Sequence, residues 1–191
     1  MPEIKFVQVT PDSPAHYQAE FIQVYKEVFA GPPYFETYQG DEVRNWVWKP
    51  HLSKGCIFLA LDDEQVVGLS CSIPLKQIQA GEPNSDVRDF LSRYQQLPFS
   101  LIDACYMSEV AVLSNYRQRG IGTELIKQRW AWAKGQGIKT YVMRTASEGS
   151  NSLGIYLKLG ARKINGSCQD VSAIGVVSAS KCRIYLYGEI I

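Results

Sequence analysis

Arg117, Gly120 and Gly122 stand in the spacing Arg-x-x-Gly-x-Gly, directly after the apolar run Val110-Ala111-Val112 and the turn that follows it. Glycines so placed let a ligand approach the main chain and relieve the steric limits on the turn. Where a helix opens at such a turn, successive backbone N–H groups and the helix dipole form an anion site. Arg117 and Arg119 add formal charge, so a pyrophosphate is the natural guest. Two other phosphate loops are excluded by spacing, since the chain has neither Gly-x-x-x-x-Gly-Lys-Ser/Thr nor Gly-x-Gly-x-x-Gly.

Coenzyme A also carries a pyrophosphate, and the context favours it. A strand ending Val-Ala-Val, the glycine turn, a helix, another strand and then Tyr156-Leu157-Lys158-Leu159-Gly160 resemble the GNAT superfamily of acetyl-CoA-dependent N-acetyltransferases. The resemblance runs from Phe21 onward and is tightest between Met107 and Gly160. It implies a mixed α/β (α+β-like) fold, with a mostly antiparallel twisted sheet splayed at the acetyl-CoA site and flanked by helices. Pantetheine would lie along Val110, Ala111 and Val112 as though it were one more strand, a main-chain N–H there meeting the thioester oxygen. The diphosphate would rest on the N–H groups of Gln118, Arg119, Gly120, Ile121, Gly122 and Thr123.

Tyr156 sits where this family often places the tyrosine that protonates the coenzyme A sulfur; otherwise it is a core tyrosine packed beside Leu153 and Leu157. The chain departs from the family in carrying Gly149 where asparagine often stands seven positions before that tyrosine. Asn151 is either the replacement contact or a helix cap. Ala161 also replaces a common phenylalanine.

Attack of an amine on a thioester needs a deprotonated nucleophile, a polarised carbonyl and a proton for the departing thiolate. Glu109, just before Val110, is the candidate general base, with Tyr106, Ser108 and Asp103 as alternatives; otherwise it is an exposed strand carboxylate or a partner for a nearby arginine. The activity so implied is acetyl transfer from acetyl-CoA to a primary amine in a ternary complex, without a metal. A small-molecule amine is favoured over a protein amine by the aromatic and acidic segment from Tyr34 to Trp48, which could line a pocket for a cation. Trp46 and Trp48 are otherwise core residues. A protein acetyltransferase and a non-catalytic acyl-CoA-sensing domain are the alternatives.

Bulk properties agree with this class. At 191 residues the chain is most economically a single domain, 1–191, with 46% hydrophobic and 20% charged residues. A net charge of +1 gives no case for a nucleic-acid or membrane partner, which needs a concentrated basic face; a homodimer is compatible with it. The N-terminus lacks the apolar core of a signal peptide and no run approaches a membrane span, so a cytoplasmic location is expected. Five scattered cysteines suit reduced thiols better than a disulfide framework. His16 and His51 are too few and too far apart to suggest zinc.

The elements that must position these residues are readable from periodicity. Ile4 to Val9 alternates as a strand, and Phe21 to Phe29 has helical spacing that Gly31-Pro32-Pro33 must end. Cys56 to Leu61 and Gln65 to Ile73 form a hairpin around Asp62-Asp63-Glu64, with Gly68 marking a bulge. Gln79 to Asp103 is a polar insert with a helix over 86–94, capped by Asn84 or Ser85; family position puts it beside the acceptor side, as a lid or as decoration. Tyr106 to Leu113 is the strand into the glycine turn. Ile121, Leu125, Ile126, Trp130 and Ala133 stripe the next helix, and Thr140 to Arg144 is a strand. Ser150 or Asn151 caps a short helix, and further strands are expected over 162–164, 171–177 and 183–190.

Overall fold

The computed structural model describes residues 3–94, 97–170 and 182–190; the strand expected over 171–177 lies outside them. The order is β1 (Lys5–Gln8), α1 (His16–Ala30), α2 (Gly40–Val43), α3 (Lys49–Lys54), β2 (Cys56–Asp62), β3 (Gln65–Pro74), α4 (Ser85–Leu91), β4 (Cys105–Val112), α5 (Ile121–Gly135), β5 (Thr140–Ala146), α6 (Asn151–Lys158), β6 (Arg162–Lys163), β7 (Gln169–Asp170) and β8 (Cys182–Glu189). The strands form one sheet ordered β1-β2-β3-β4-β5-β8-β6, with β7 also on β8. Every described pairing is antiparallel except β4 with β5.

Strand alternation sorts the core into layers. Ile57, Leu59 and Leu61 face α1, whose Phe21, Val24, Tyr25 and Phe29 lie one helical stripe apart, whereas Cys56, Phe58 and Ala60 face α5 through Ile121 and Leu125. A strand covered on both faces needs a continuous apolar run, and Cys-Ile-Phe-Leu-Ala-Leu supplies it. Beyond β4, α5 and α6 cover one face through Met107, Tyr141 and Met143, while the insert covers the other through Val87 and Leu91 against Tyr106, Val142 and Tyr185. The insert is therefore a wall of the core, with Phe90 stacked on Tyr185 at 5.1 Å. Asn84 precedes its helix in a left-handed conformation and makes no side-chain cap.

The β2–β3 ladder slips beside Gly68, as expected, where an added Cβ would meet the Ala111 carbonyl oxygen at 3.2 Å. Two findings differ from expectation. Residues 40–54 form two helical segments joined by a π turn at Arg44–Trp48, and that turn rotates Trp46 outward (55% exposed) while burying Trp48 (5%). Cys168 and Cys182 form a disulfide across a Cα separation of 5.4 Å, beside the short antiparallel pairing of β7 with β8. Cys56, Cys71 and Cys105 are buried free thiols. Among the described residues no helix is long and apolar enough to cross a membrane.

Candidate functional site

β4 and β5 run parallel but pair only at Cys105–Tyr141 and Tyr106–Val142 among the described residues. Beyond those positions the strands diverge, so the β5-facing edge of β4 from Met107 to Val112 is left without a strand partner. The divergence opens a cleft of about 480 Å³, lined by Val110, Ala111, Val112, Arg117, Gln118, Gly120, Ile121, Gly122, Thr123 and Asn151. These are the residues expected to hold the cofactor, with Arg119 excepted. Arg119 stands exposed at the rim, its guanidinium 4.9 Å over the Tyr116 ring and donating to the Asn115 carbonyl.

The glycine turn is built for an anion. Gly120 precedes α5 with φ +82°, and no described backbone carbonyl accepts from the N–H groups of Gln118 to Thr123. A Cβ at Gly122 would meet nothing closer than Ile155 Cδ1 and Val112 Cγ2, both at 3.8 Å. The residues present thus fit a diphosphate and an extended pantetheine arm. Arg117 Nε donates to the Val112 carbonyl at 3.0 Å, which fixes its stem at the cleft wall. Lys158 also lines the cleft and was not foreseen. Its signal was present in sequence, since Asn151, Ile155 and Lys158 share one face of α6 at helical spacing. Ser150 caps that helix, accepting from the Leu153 N–H. Gly149 takes φ +68°, and a Cβ there would come 3.2 Å from Pro33 Cβ, which accounts for the missing asparagine.

A second, narrower cavity of about 90 Å³ lies deeper in the divergence and shares Tyr34, Val110 and Ser152 with the cofactor cleft. Its aromatic wall is Tyr25, Phe29, Tyr34 and Tyr38, and its carboxylates are Glu36 and Glu109. Of the 34–48 segment it takes Tyr34, Glu36 and Tyr38, and neither tryptophan. Glu36 is buried in an ion pair with Arg183 and accepts from the Tyr38 hydroxyl at 2.7 Å. Burial lifts the Glu109 carboxyl above the usual carboxylate range to about 7; Arg144 opposes the rise and Glu36 adds to it. A carboxyl poised there holds and releases a proton near neutrality.

The alternatives to Glu109 fare differently. Asp103 is exposed and lines neither cavity. Burial drives the Tyr106 hydroxyl well above its ordinary value, so it stays protonated. Ser108 hydrogen-bonds His51 Nε2 at 2.7 Å. His51 Nδ1 lies 2.6 Å from the Val47 carbonyl, which can only accept, and burial pushes the imidazole down to about 4. The neutral ring therefore donates from Nδ1, and Ser108 donates to Nε2. Arg144, which lines the cavity, is tied to Asp86 of the insert; the described insert residues line neither cavity themselves.

Tyr156 is wholly buried and lines neither cavity. Its ring packs on Tyr141 at 5.9 Å and its hydroxyl meets the Arg129 guanidinium. Of the two readings of Tyr156, this placement matches the core tyrosine: α6 turns it toward α5 and the core. Arg129, unforeseen because it reads as one more polar residue in a helix, is itself buried. Its Nη1 donates to the Cys71 and Glu109 carbonyls at 2.8 and 2.6 Å, bracing β3 and β4 beside the register slip between Cys71 and Ile73.

The profile of the Acetyltransferase (GNAT) family matches residues 21–161. Solved structures share the fold. The ribosomal-protein-S18-alanine N-acetyltransferase of Escherichia coli aligns with a TM-score of 0.61 at 10% identity, over 98% of this chain and 94% of that one. A GNAT-family acetyltransferase of Staphylococcus aureus Mu50 gives 0.65 at 16%, over 99% and 100%. The NatC complex bound to Gag peptide and CoA gives 0.64 at 14%, over 98% of each chain. No curated protein matches the sequence significantly.

Proposed function

The chain belongs to the GNAT acetyltransferase family, and from that premise we propose that it moves the acetyl group of acetyl-CoA onto the primary amine of a small molecule, by direct attack in a ternary complex. The observation that carries this reading is Glu109, a carboxyl held near neutral pKa where the narrow aromatic cavity meets the free edge of β4. Bound acetyl-CoA supplies the activated thioester. The β4 edge offers main-chain N–H groups to the thioester carbonyl, and the turn from Gln118 to Thr123 anchors the diphosphate. Tyr34, Tyr38 and Phe29 present π faces to the incoming amine, which attacks in its neutral form after its ammonium proton has gone to solvent, and Glu109 accepts the proton that the nitrogen sheds on attack. The small volume of the cavity, about 90 Å³, favours a compact acceptor over a folded protein surface. A peptide amino terminus is the second reading, favoured by the alanine N-acetyltransferase named among the similar structures. Thiol release measured with small primary amines and with an alanine-terminated peptide separates the two. Turnover confined to the peptide would sink the small-molecule assignment, and turnover with neither would sink the proposal.

Two binding predictions follow from the cleft. Coenzyme A at a hundredfold excess over its dissociation constant raises stability by about 2.7 kcal/mol if it binds only the folded chain, visible as a raised melting temperature. Adenine nucleotides lacking pantetheine should do less, and no shift with coenzyme A or longer acyl-CoAs would remove the cofactor assignment. Gly122→Val should weaken coenzyme A binding by tenfold or more, about 1.4 kcal/mol or above, because its γ carbons project into the cleft. The fold should persist, since the Cβ itself has room. Calorimetric titration checks this; undiminished affinity would leave Gly122 a turn residue. Gly120 is a poorer probe, because its positive φ alone strains any side chain.

A further inference from the structure

Four hydroxyl groups gather where the two cavities meet. Thr145 Oγ1, on the penultimate residue of β5, lies 3.3 Å from the Tyr34 hydroxyl, 2.5 Å from Ser150 Oγ and 3.1 Å from Ser152 Oγ. Ser150 and Ser152 are themselves 2.9 Å apart. Tyr34 and Ser152 line both cavities, Thr145 only the inner one and Ser150 only the outer one. The chain of hydroxyls therefore passes from one cavity to the other beside Val110, which also lines both, at the place where a thioester anchored along β4 meets an amine.

We propose that the proton taken up by the departing coenzyme A sulfur comes from the Tyr34 hydroxyl, resupplied along Thr145, Ser150 and Ser152, and not from Tyr156. The inference rests on the acetyl-transfer reading above. The step balances without further reagents. The amine nitrogen forms the new C–N bond and gives a proton to Glu109. The C–S bond breaks with its electron pair on sulfur, and sulfur takes the Tyr34 proton. A proton then passes from cleft water through Ser152, Ser150 and Thr145 to restore Tyr34, and Glu109 returns its own to solvent, so each turnover ends with one amide and one thiol. Hydroxyl chains suit this work because each member both donates and accepts. Tyr34 is also held for it: its ring packs on Phe29 at 5.1 Å and lies 4.7 Å under the Arg183 guanidinium. Tyr156, by contrast, has its hydroxyl against Arg129 in a wholly buried position.

The test compares Tyr34→Phe, Thr145→Val and Tyr156→Phe with the wild-type chain, by thiol release at saturating acetyl-CoA, by the KM for acetyl-CoA and by melting curves. General acid catalysis contributes about 10² to 10⁴-fold, so Tyr34→Phe should lose kcat by that factor with KM and melting temperature nearly unchanged. Thr145→Val, which breaks the resupply and keeps the donor, should lose about tenfold in kcat, an effect of 1.4 kcal/mol. Tyr156→Phe should melt lower and keep its turnover per folded molecule. Full kcat in Tyr34→Phe, or a selective loss of kcat in folded Tyr156→Phe, overturns the assignment. Wild-type chain that binds coenzyme A and acetylates no amine overturns the acetyl-transfer reading itself, and the inference with it.

Discussion

Glu109→Gln should lower turnover by about 10² to 10⁴-fold, the usual contribution of a positioned general base. The amide keeps the shape and removes the proton acceptor, so acetyl-CoA affinity should hardly move. The wild-type pH profile supplies a second reading. With a carboxyl pKa near 7, the base form grows in as pH rises, and kcat/KM should climb through an acid limb centred there. Stability runs the other way. The folded-state pKa lies above the ordinary 4.5, so the favourable contribution of protonated Glu109 is fully present below pH 4.5 and is lost as pH rises through 7. At pH 8 the folded wild type carries a desolvated carboxylate that the variant lacks. Glu109→Gln should therefore melt higher than wild type at pH 8 while being nearly inactive. A variant that is inactive and also less stable at that pH would point to a structural carboxylate instead.

Arg183→Met should destabilise the fold by about 3 to 5 kcal/mol, the range for removing one partner of a buried pair. Glu36 and Arg183 are 5% and 7% exposed, and the side chain that is lost also covers the Tyr34 ring. The penalty arises mostly from the carboxylate left behind, so adding Glu36→Gln to Arg183→Met should recover much of it. Denaturant unfolding of the single and double variants measures the coupling. A single-variant cost below about 1 kcal/mol would mean that the pair behaves as an exposed one.

The strand, turn and helix from Met107 to Thr123 were legible because every determinant is local. Val-Ala-Val favours a strand, Gly120 takes the left-handed conformation, and the stripe from Ile121 to Ala133 has helical period. The end of α1 at Gly31 was legible for the same reason. What could not be read depends on residues far apart in sequence. Arg129 is a helix residue whose burial is decided by two strands diverging around it. Tyr156 keeps the spacing of a familiar tyrosine, yet its direction is set by Arg129 and Tyr141. Tyr34 meets Thr145 across more than a hundred positions. The opposite fates of Trp46 and Trp48 follow from a π turn, which adds a residue to the turn and has no compositional marker.

The divergence of β4 from β5 also makes this sheet two leaves joined at a short seam. β1 to β4 hold together by long antiparallel ladders, and so do β5 and β8, to which β6 and β7 add short pairings, but among the described residues only two residue pairs stitch one leaf to the other. A strand edge without a partner ordinarily recruits another chain. Here it lies inside the sheet, where a slender amide-bearing ligand fits and a second polypeptide strand does not. Such a ligand acts as a strut across the seam, so the amide protons between Met107 and Val112 that face the gap, unlike their neighbours bonded to β3, should exchange fast in the free protein and slow sharply once the gap is bridged.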